Sequence, residues 1–154
     1  MLFDKINEKL KTLHDYKLVM IENDHFNNSI HLIFINEDKT IKIEIVLYDV
    51  VEIKCTNWNS ENIVLDCYVI DTDNPNSKKR LLDLLIYTLD LNKIQLKNNT
   101  FEPLLNNILH KETFILEVNP SFGAYLVAIF KKIQFNSFPI PNMKQKHCQR
   151  DNLR

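Results

Sequence analysis

The chain has 154 residues and a mass of 18.3 kDa, the size of one domain able to bury roughly 70% of the surface its unfolded form exposes. Hydrophobic residues make up 45% and charged residues 25%, which sets aside disorder as the state of the body of the chain. With 19 Lys and Arg against 20 Asp and Glu, no net field draws a polyanion, so a general nucleic-acid binder is excluded as an expectation.

The amino terminus, MLFDKINEKLKTLHDY, mixes charged and apolar residues without an apolar core or a small-residue cleavage site, so it does not read as a signal peptide. No run of about 18 apolar residues is present to span a bilayer. Both readings predict a cytoplasmic protein. The pattern in 2–13 is that of an amphipathic helix: Leu2, Phe3, Ile6, Leu10 and Leu13 recur at three and four, with Lys5, Glu8, Lys9 and Lys11 opposite. YKLVMIE and SIHLIFIN, separated by NDHFNN, predict the first two strands of a meander, and NEDKT the following turn.

From Ile41 to Cys55 the alternation is regular. Ile41, Ile43, Ile45, Leu47, Val51, Ile53 and Cys55 share one face, and Lys42, Glu44, Glu52 and Lys54 the other. The polar face is broken by Val46, Tyr48 and Val50 while Asp49 turns toward the apolar side, which predicts either a bulge at Asp49 or a covering element. Ile63 to Ile70 is apolar on both faces and reads as a central strand. If it forms a hairpin with the preceding strand across TNWNSEN, Cys55 falls near Ile63 and Cys67 near Val51, too far apart for a disulfide. With Cys148 these make three cysteines without metal-ligand spacing, expected as buried thiols in a reducing compartment.

KKRLLDLLIYTLDLNKIQLK fits a helix through Leu81, Leu85 and Leu89 and a strand through Leu84, Ile86 and Thr88; the reading favoured is a short helical turn followed by strand. FEPLLNNILHK predicts a short helix with Pro103 in its first turn, and ETFILEV a strand. For Asn119 to Phe135 two readings stand. A helix would be capped at Asn119; a strand would be entered through NPSFG, with Gly123, the only glycine, at positive φ. Glycine inside a helix costs up to about 1 kcal/mol and relieves a comparable strain at positive φ, so the strand is favoured. Ala124 and Ala128 would then leave room for a helix, the amino-terminal one, to lie close.

The predicted fold class is therefore α+β: an N-terminal amphipathic helix packed on a mostly antiparallel β-meander sheet, with one or two short further helices. Residues 1–138 form the single domain, and 139–154 a loosely ordered basic tail with Lys144, Lys146, Arg150 and Arg154. One glycine with an excess of Asn, Ile and Lys is the composition an AT-rich genome produces, and bacterial origin is expected. Turns must then rely on asparagine, with Asn27-Asn28, Asn57 to Asn62, Asn74 to Asn76 and Asn98-Asn99 the candidates.

A single glycine excludes phosphate-cradling loops and the serine-hydrolase elbow, since Ser121 has Gly123 after it but Asn119 before it. Five histidines show no zinc spacing. Asp71-Thr72-Asp73-Asn74 begins like a calcium loop, but Pro75 follows and the twelfth position is Leu82, so an Asx turn is expected instead. The pairs Glu22 with Asp24 and Asp71 with Asp73 read as solvated strand faces. Trp58, in a polar turn, either folds back as a lid on the core or stands out as a contact anchor. No catalytic residue, metal ligand or cofactor is predicted.

The strand pattern of residues 16–135, its acidic surface positions and the late strand entered through PSFGAYLVAIF resemble the small immunity proteins that bacteria encode beside polymorphic toxins. That resemblance implies a non-enzymatic binding protein that occludes a partner toxin domain, with Trp58, Glu61, Asp66, Asp71 and Asp73 as the contact residues. Two other readings remain open: a small-ligand-binding or enzymatic α+β domain with His25 or His31 and a carboxylate lining its pocket, and a structural oligomerising module using Val46, Tyr48 and Val50.

Overall fold

The computed structural model describes residues 2–74, 76–90 and 101–141. It is an α+β protein whose described residues form three helices, α1 (Leu2–Lys11), α2 (Ser77–Thr88) and α3 (Phe101–Leu109), and eight strands. The strands are β1 (Lys17–Asp24), β2 (Ser29–Ile35), β3 (Ile41–Tyr48), β4 (Glu52–Thr56), β5 (Ile63–Val69), β6 (Phe114–Phe122), β7 (Tyr125–Phe130) and β8 (Lys132–Pro139). They form one antiparallel sheet in the order β4-β7-β6-β5-β1-β2-β3-β8.

The chain predicts hairpins where the turns are short, and β1-β2-β3 and β6-β7 are such hairpins. β5 and β6 are also neighbours, joined through α2 and α3, whereas β4-β7, β5-β1 and β3-β8 pair strands that are not consecutive. The alternation fault at Asp49 is a bend: Asp49 takes φ of 51°, and the strand that ends at Tyr48 restarts at Glu52. Its partner bends at the same level, at Lys131. Two hydrogen bonds, Val51 N–H to Ile129 O at 2.8 Å and Lys131 N–H to Tyr48 O at 3.0 Å, carry the ladder across the bend. β3 and β4 therefore act as one long bent strand, and β7 and β8 as its antiparallel partner.

This sheet folds into two four-stranded halves, β1-β2-β3-β8 and β5-β6-β7-β4, with a core between them. Leu18, Leu32, Phe34, Ile45 and Leu47 from one half meet Val64, Val69, Leu116, Leu126, Ala128 and Phe130 from the other. The amphipathic α1 adds Leu10 and Leu13, both fully buried, to the same cluster. The opposite face of β6 and β7 supplies Ile115, Val127 and Ile129 to a second core under α2 and α3, with Leu81, Leu84, Leu85, Phe101 and Ile108. Alternation on β7 explains why both faces are buried: it lies between two layers, as an all-apolar strand must.

Several expectations are corrected. β4 does not form a hairpin with β5; Cys55 lies opposite Leu126 and Cys67 opposite Val118. Alternation places a side chain on a face but does not choose the neighbouring strand, and here the apolar β7 takes the inner position beside β4. Both cysteines are free thiols. The segment from Leu81 is helical through Thr88, not a short turn followed by strand; Thr88 fits because its hydroxyl donates to the Leu84 carbonyl at 2.7 Å. Residues 91–97 of that expectation lie outside the described residues. So do 142–154 of the predicted tail, while β8 still pairs Pro139 with Ile41.

The strand reading of 119–135 holds, but the turn is shorter than NPSFG, since Asn119 to Phe122 belong to β6. Gly123 takes φ of 93°, and a Cβ there would lie 2.5 Å from the Glu61 carbonyl oxygen and 2.7 Å from Asn62 Oδ1. Glycine is required both by the dihedral and by the loop packed against it. The other positive-φ positions are not all asparagine: Asn28 and Asn57 are joined by Asp15, Lys39, Asp49, Asp90 and Lys111.

Candidate functional site

Where β1 meets β5 the sheet is held by little. Lys17 opposite Ile63 is the one paired position, reinforced by Leu18 N–H to Asn62 O at 2.8 Å and Val64 N–H to Tyr16 O at 2.9 Å. Asn62, 5% exposed, locks this corner. Its Nδ2 donates to Leu18 O at 3.3 Å and Asn59 O at 2.7 Å, and its Oδ1 accepts from Asn59 N–H at 3.0 Å and Ala124 N–H at 3.1 Å. All four hydrogen-bonding positions of the amide are used.

Beyond that corner the edges separate. β5 continues beside β6, and β1 from Val19 onward pairs only with β2. β4, the terminal strand of the sheet, pairs only with β7. The unpaired edges of β1 and β4 flank one seam. Two clefts lie along it: one of about 470 Å³ lined by Val19, Met20, Ile21, Cys55 and Trp58, the other of about 200 Å³ whose lining includes Asn23 and His25 from the β1 side and Val51, Glu52 and Ile53 from the β4 side. The first is mainly apolar. Val19 and Met20 are each 42% exposed and Trp58 48%, so the tryptophan neither closes over the core nor stands entirely free. A bulge between Leu18 and Met20 turns Val19 and Met20 outward.

Around the seam the charge is acidic. Glu22, Asp49, Glu52 and Glu61 are exposed and Asp24 is half-buried. Lys17 is paired with Glu61. Lys54 is turned to the helix side, where Asp90 and the Tyr87 carbonyl hold its ammonium and the Tyr87 ring lies 4.6 Å beneath it. Burial pushes the Cys55 thiol up from its ordinary range, which disfavours the nucleophilic thiolate.

Of the sequence-derived contact residues, the structure brings Trp58 and Glu61 together on the loop at the end of the seam. Asp66 is elsewhere, on the exposed side of β5 beside His14, in a groove under α1. Asp71 accepts the Asp73 N–H at 2.9 Å, the expected Asx turn, and Asp73 pairs with Lys111.

One cluster escaped sequence reasoning. Glu117, fully buried on β6, receives the Arg80 guanidinium from α2 and the hydroxyls of Tyr68 at 2.5 Å and Tyr125 at 2.8 Å. Burial and the adjacent carboxylate push both tyrosines above their ordinary range. Every oxygen of Glu117 is occupied, so the cluster clamps α2 onto the sheet and leaves no free base. Its signal in the sequence was a single carboxylate inside the apolar run of ETFILEV, together with Arg80, the sole arginine before position 150.

His31 also has partners. Its Nδ1 lies 3.0 Å from Glu44, which also accepts from Asn136 at 3.0 Å, and its Nε2 lies 3.4 Å from Ser29 Oγ. These bonds hold the Glu44 carboxyl below the usual range. The order Ser, His, Glu matches that of a hydrolytic triad, but Ser29 is 2% exposed and closed to a substrate carbonyl. Among the described residues no group of three His, Cys, Asp or Glu could hold a metal ion, and no helix is long and apolar enough to cross a membrane. No protein-family model matches this chain, and a search of curated proteins returns no significant match.

Proposed function

We propose that this chain is a non-enzymatic binding protein whose contact surface is the seam between β1 and β4, and that its partner is a toxin domain of the kind immunity-type proteins occlude. The observation that carries this reading is the half-exposed Trp58, on the loop after β4, set beside exposed Val19 and Met20 of β1 over an apolar cleft. Tryptophan in such a setting offers a large desolvation gain at low entropic cost. The acidic rim, Glu61 included, complements a basic partner and steers its approach. Asp66, Asp71 and Asp73 add to the negative potential from a neighbouring face, with Asp71 and Asp73 committed to intramolecular bonds. On this reading the protein acts in the bacterial cytoplasm, encoded beside its partner.

Co-expression with the product of the adjacent gene tests it. The neighbour is expected to be toxic alone, to be silenced by this chain, and to co-purify with it. Trp58→Ala combined with Met20→Ser is expected to abolish both effects while leaving the circular dichroism spectrum unchanged. A neighbour that is neither toxic nor bound removes the toxin assignment.

A further inference from the structure

We infer that the partner enters the β1–β4 seam as an extended strand, a basic segment with apolar residues at every second position. This rests on the binding-surface reading above and adds how the surface is used. Exposed edges in native sheets are normally guarded, because unpaired N–H and C=O groups template further strand pairing. Two edges of this sheet carry such guards. The β5 edge is covered by α1: Asn7 Nδ2 donates to Val69 O at 3.1 Å, Val69 N–H donates back to Asn7 Oδ1 at 2.8 Å, and His14 Nδ1 donates to Leu65 O at 2.6 Å. β8, the other terminal strand, has Lys9 of α1 over its Phe135 ring at 5.6 Å and carries Lys131, Lys132 and Pro139 at its ends. β2 and β3 are paired on both sides.

Among the described residues, β4 and the outer part of β1 have none. The lysine that could guard β4, Lys54, is drawn away to Asp90 and Tyr87. The two edges run in opposite directions, since β1 leads from the Asn62 corner toward Asp49 and β4 leads back again. A strand laid between them is antiparallel to one and parallel to the other, and is bonded along both. Five residues of β4 span roughly 17 Å, the length of an ordinary strand.

The chemistry of the occupant follows from the two sides of the seam. Side chains pointing inward meet Ile21, Ile53 and Cys55, which border the main core. Those pointing outward meet Glu22 and Glu52, neither of which has an ion pair among the described residues. Alternating apolar and basic residues satisfy both sides at once, and this is how strand addition gains affinity from the main chain and specificity from alternate side chains.

The test uses the full chain, 15N-labelled, and the capped peptide Lys-Val-Lys-Val-Lys-Val-Lys at up to about 1 mM. Two further versions are N-methylated at the lysines or at the valines. The expected result is amide shifts confined to residues 19–24 and 52–56, new exchange protection on β4, and weaker binding of both methylated peptides than of the parent, because each blocks one of the two bonded edges of the added strand. Glu22→Lys with Glu52→Lys should weaken the parent peptide about tenfold. Binding of either methylated version as tight as that of the parent, shifts centred on the α1 groove, or no binding at all overturns strand addition. If the peptide fails while the Trp58-dependent complex survives, strand addition alone is wrong. If the peptide enters but the adjacent gene product does not bind, the toxin assignment alone is wrong.

Discussion

The edge of β5 and the edge of β4 are treated in opposite ways by the same chain. Both belong to the β5-β6-β7-β4 half, and both leave backbone groups beyond the last paired strand. On β5 a helix lies alongside, and Asn7 acts as a substitute strand residue, giving and taking one hydrogen bond at Val69. On β4, α2 reaches one face through Tyr87, which holds Lys54 and Thr56, but among the described residues no helix bonds the outer edge, and the apolar side chains of the cleft beside it stay open. The contrast teaches that an open edge here is not the result of a shortage of covering elements. One seam is closed with a two-way amide bond and two buried leucines, and the other is left for something else.

The largest expected effect tests the closed side. Leu10→Ala removes a fully buried side chain from the core that α1 seals, and should cost about 3 kcal/mol in chemical denaturation. A loss under about 1 kcal/mol would mean that the helix is not what closes this seam. Asn7→Ala leaves the Val69 N–H and C=O without partners, and a loss of about 2 kcal/mol is expected, with the Val69 amide exchanging faster than those of β6. On the open side, Trp58→Ala should change stability by no more than about 0.5 kcal/mol and yet eliminate partner binding. A loss as large as that of Leu10→Ala would make Trp58 a core residue and erase the distinction.

The smallest effect is a pH dependence confined to the closed side. The bond to the Leu65 carbonyl, then the charge of Asp15, holds the His14 imidazole above its ordinary 6.5. Because the folded value is the higher one, this contribution is whole below about pH 6.5 and is lost as pH rises through the folded value. Exchange at Leu65 to Cys67 should quicken across that interval, and His14→Gln should flatten the response. Amides of β4 should show no such change.

Much of this contrast could be read in part from the sequence. The spacing of Ile6, Leu10 and Leu13 indicated a covering helix, the fault at Asp49 marked an irregularity, read as a bulge or a covered spot where the strand in fact bends, and Gly123 indicated a strand entered at positive φ. Each is a local property: a period, a break in it, or a dihedral that few residues tolerate. Partner choice among strands is not local. Val51, Ile53 and Cys55 alternate identically whether β4 lies beside β5 or β7, so the hairpin across TNWNSEN was a reasonable expectation and an incorrect one. The same applies to Asn62 and Glu117, whose roles depend on groups 44 and 37 residues away in Leu18 and Arg80. Trp58 stood out as a lone aromatic in a polar turn, but the seam beside it exists only once β1 and β4 have each taken other neighbours.

The shared bend at Asp49 and Lys131 has a consequence for how the molecule comes apart. Two strands, β3 with β4 and β7 with β8, run through both halves without an intervening linker. Neither half owns a complete set of strands, and neither can lose its pairing without releasing backbone that the other depends on. The halves should therefore melt in one cooperative transition, with matching midpoints for Trp58 fluorescence and helical dichroism. A cut between them would yield two insoluble fragments, not two smaller domains.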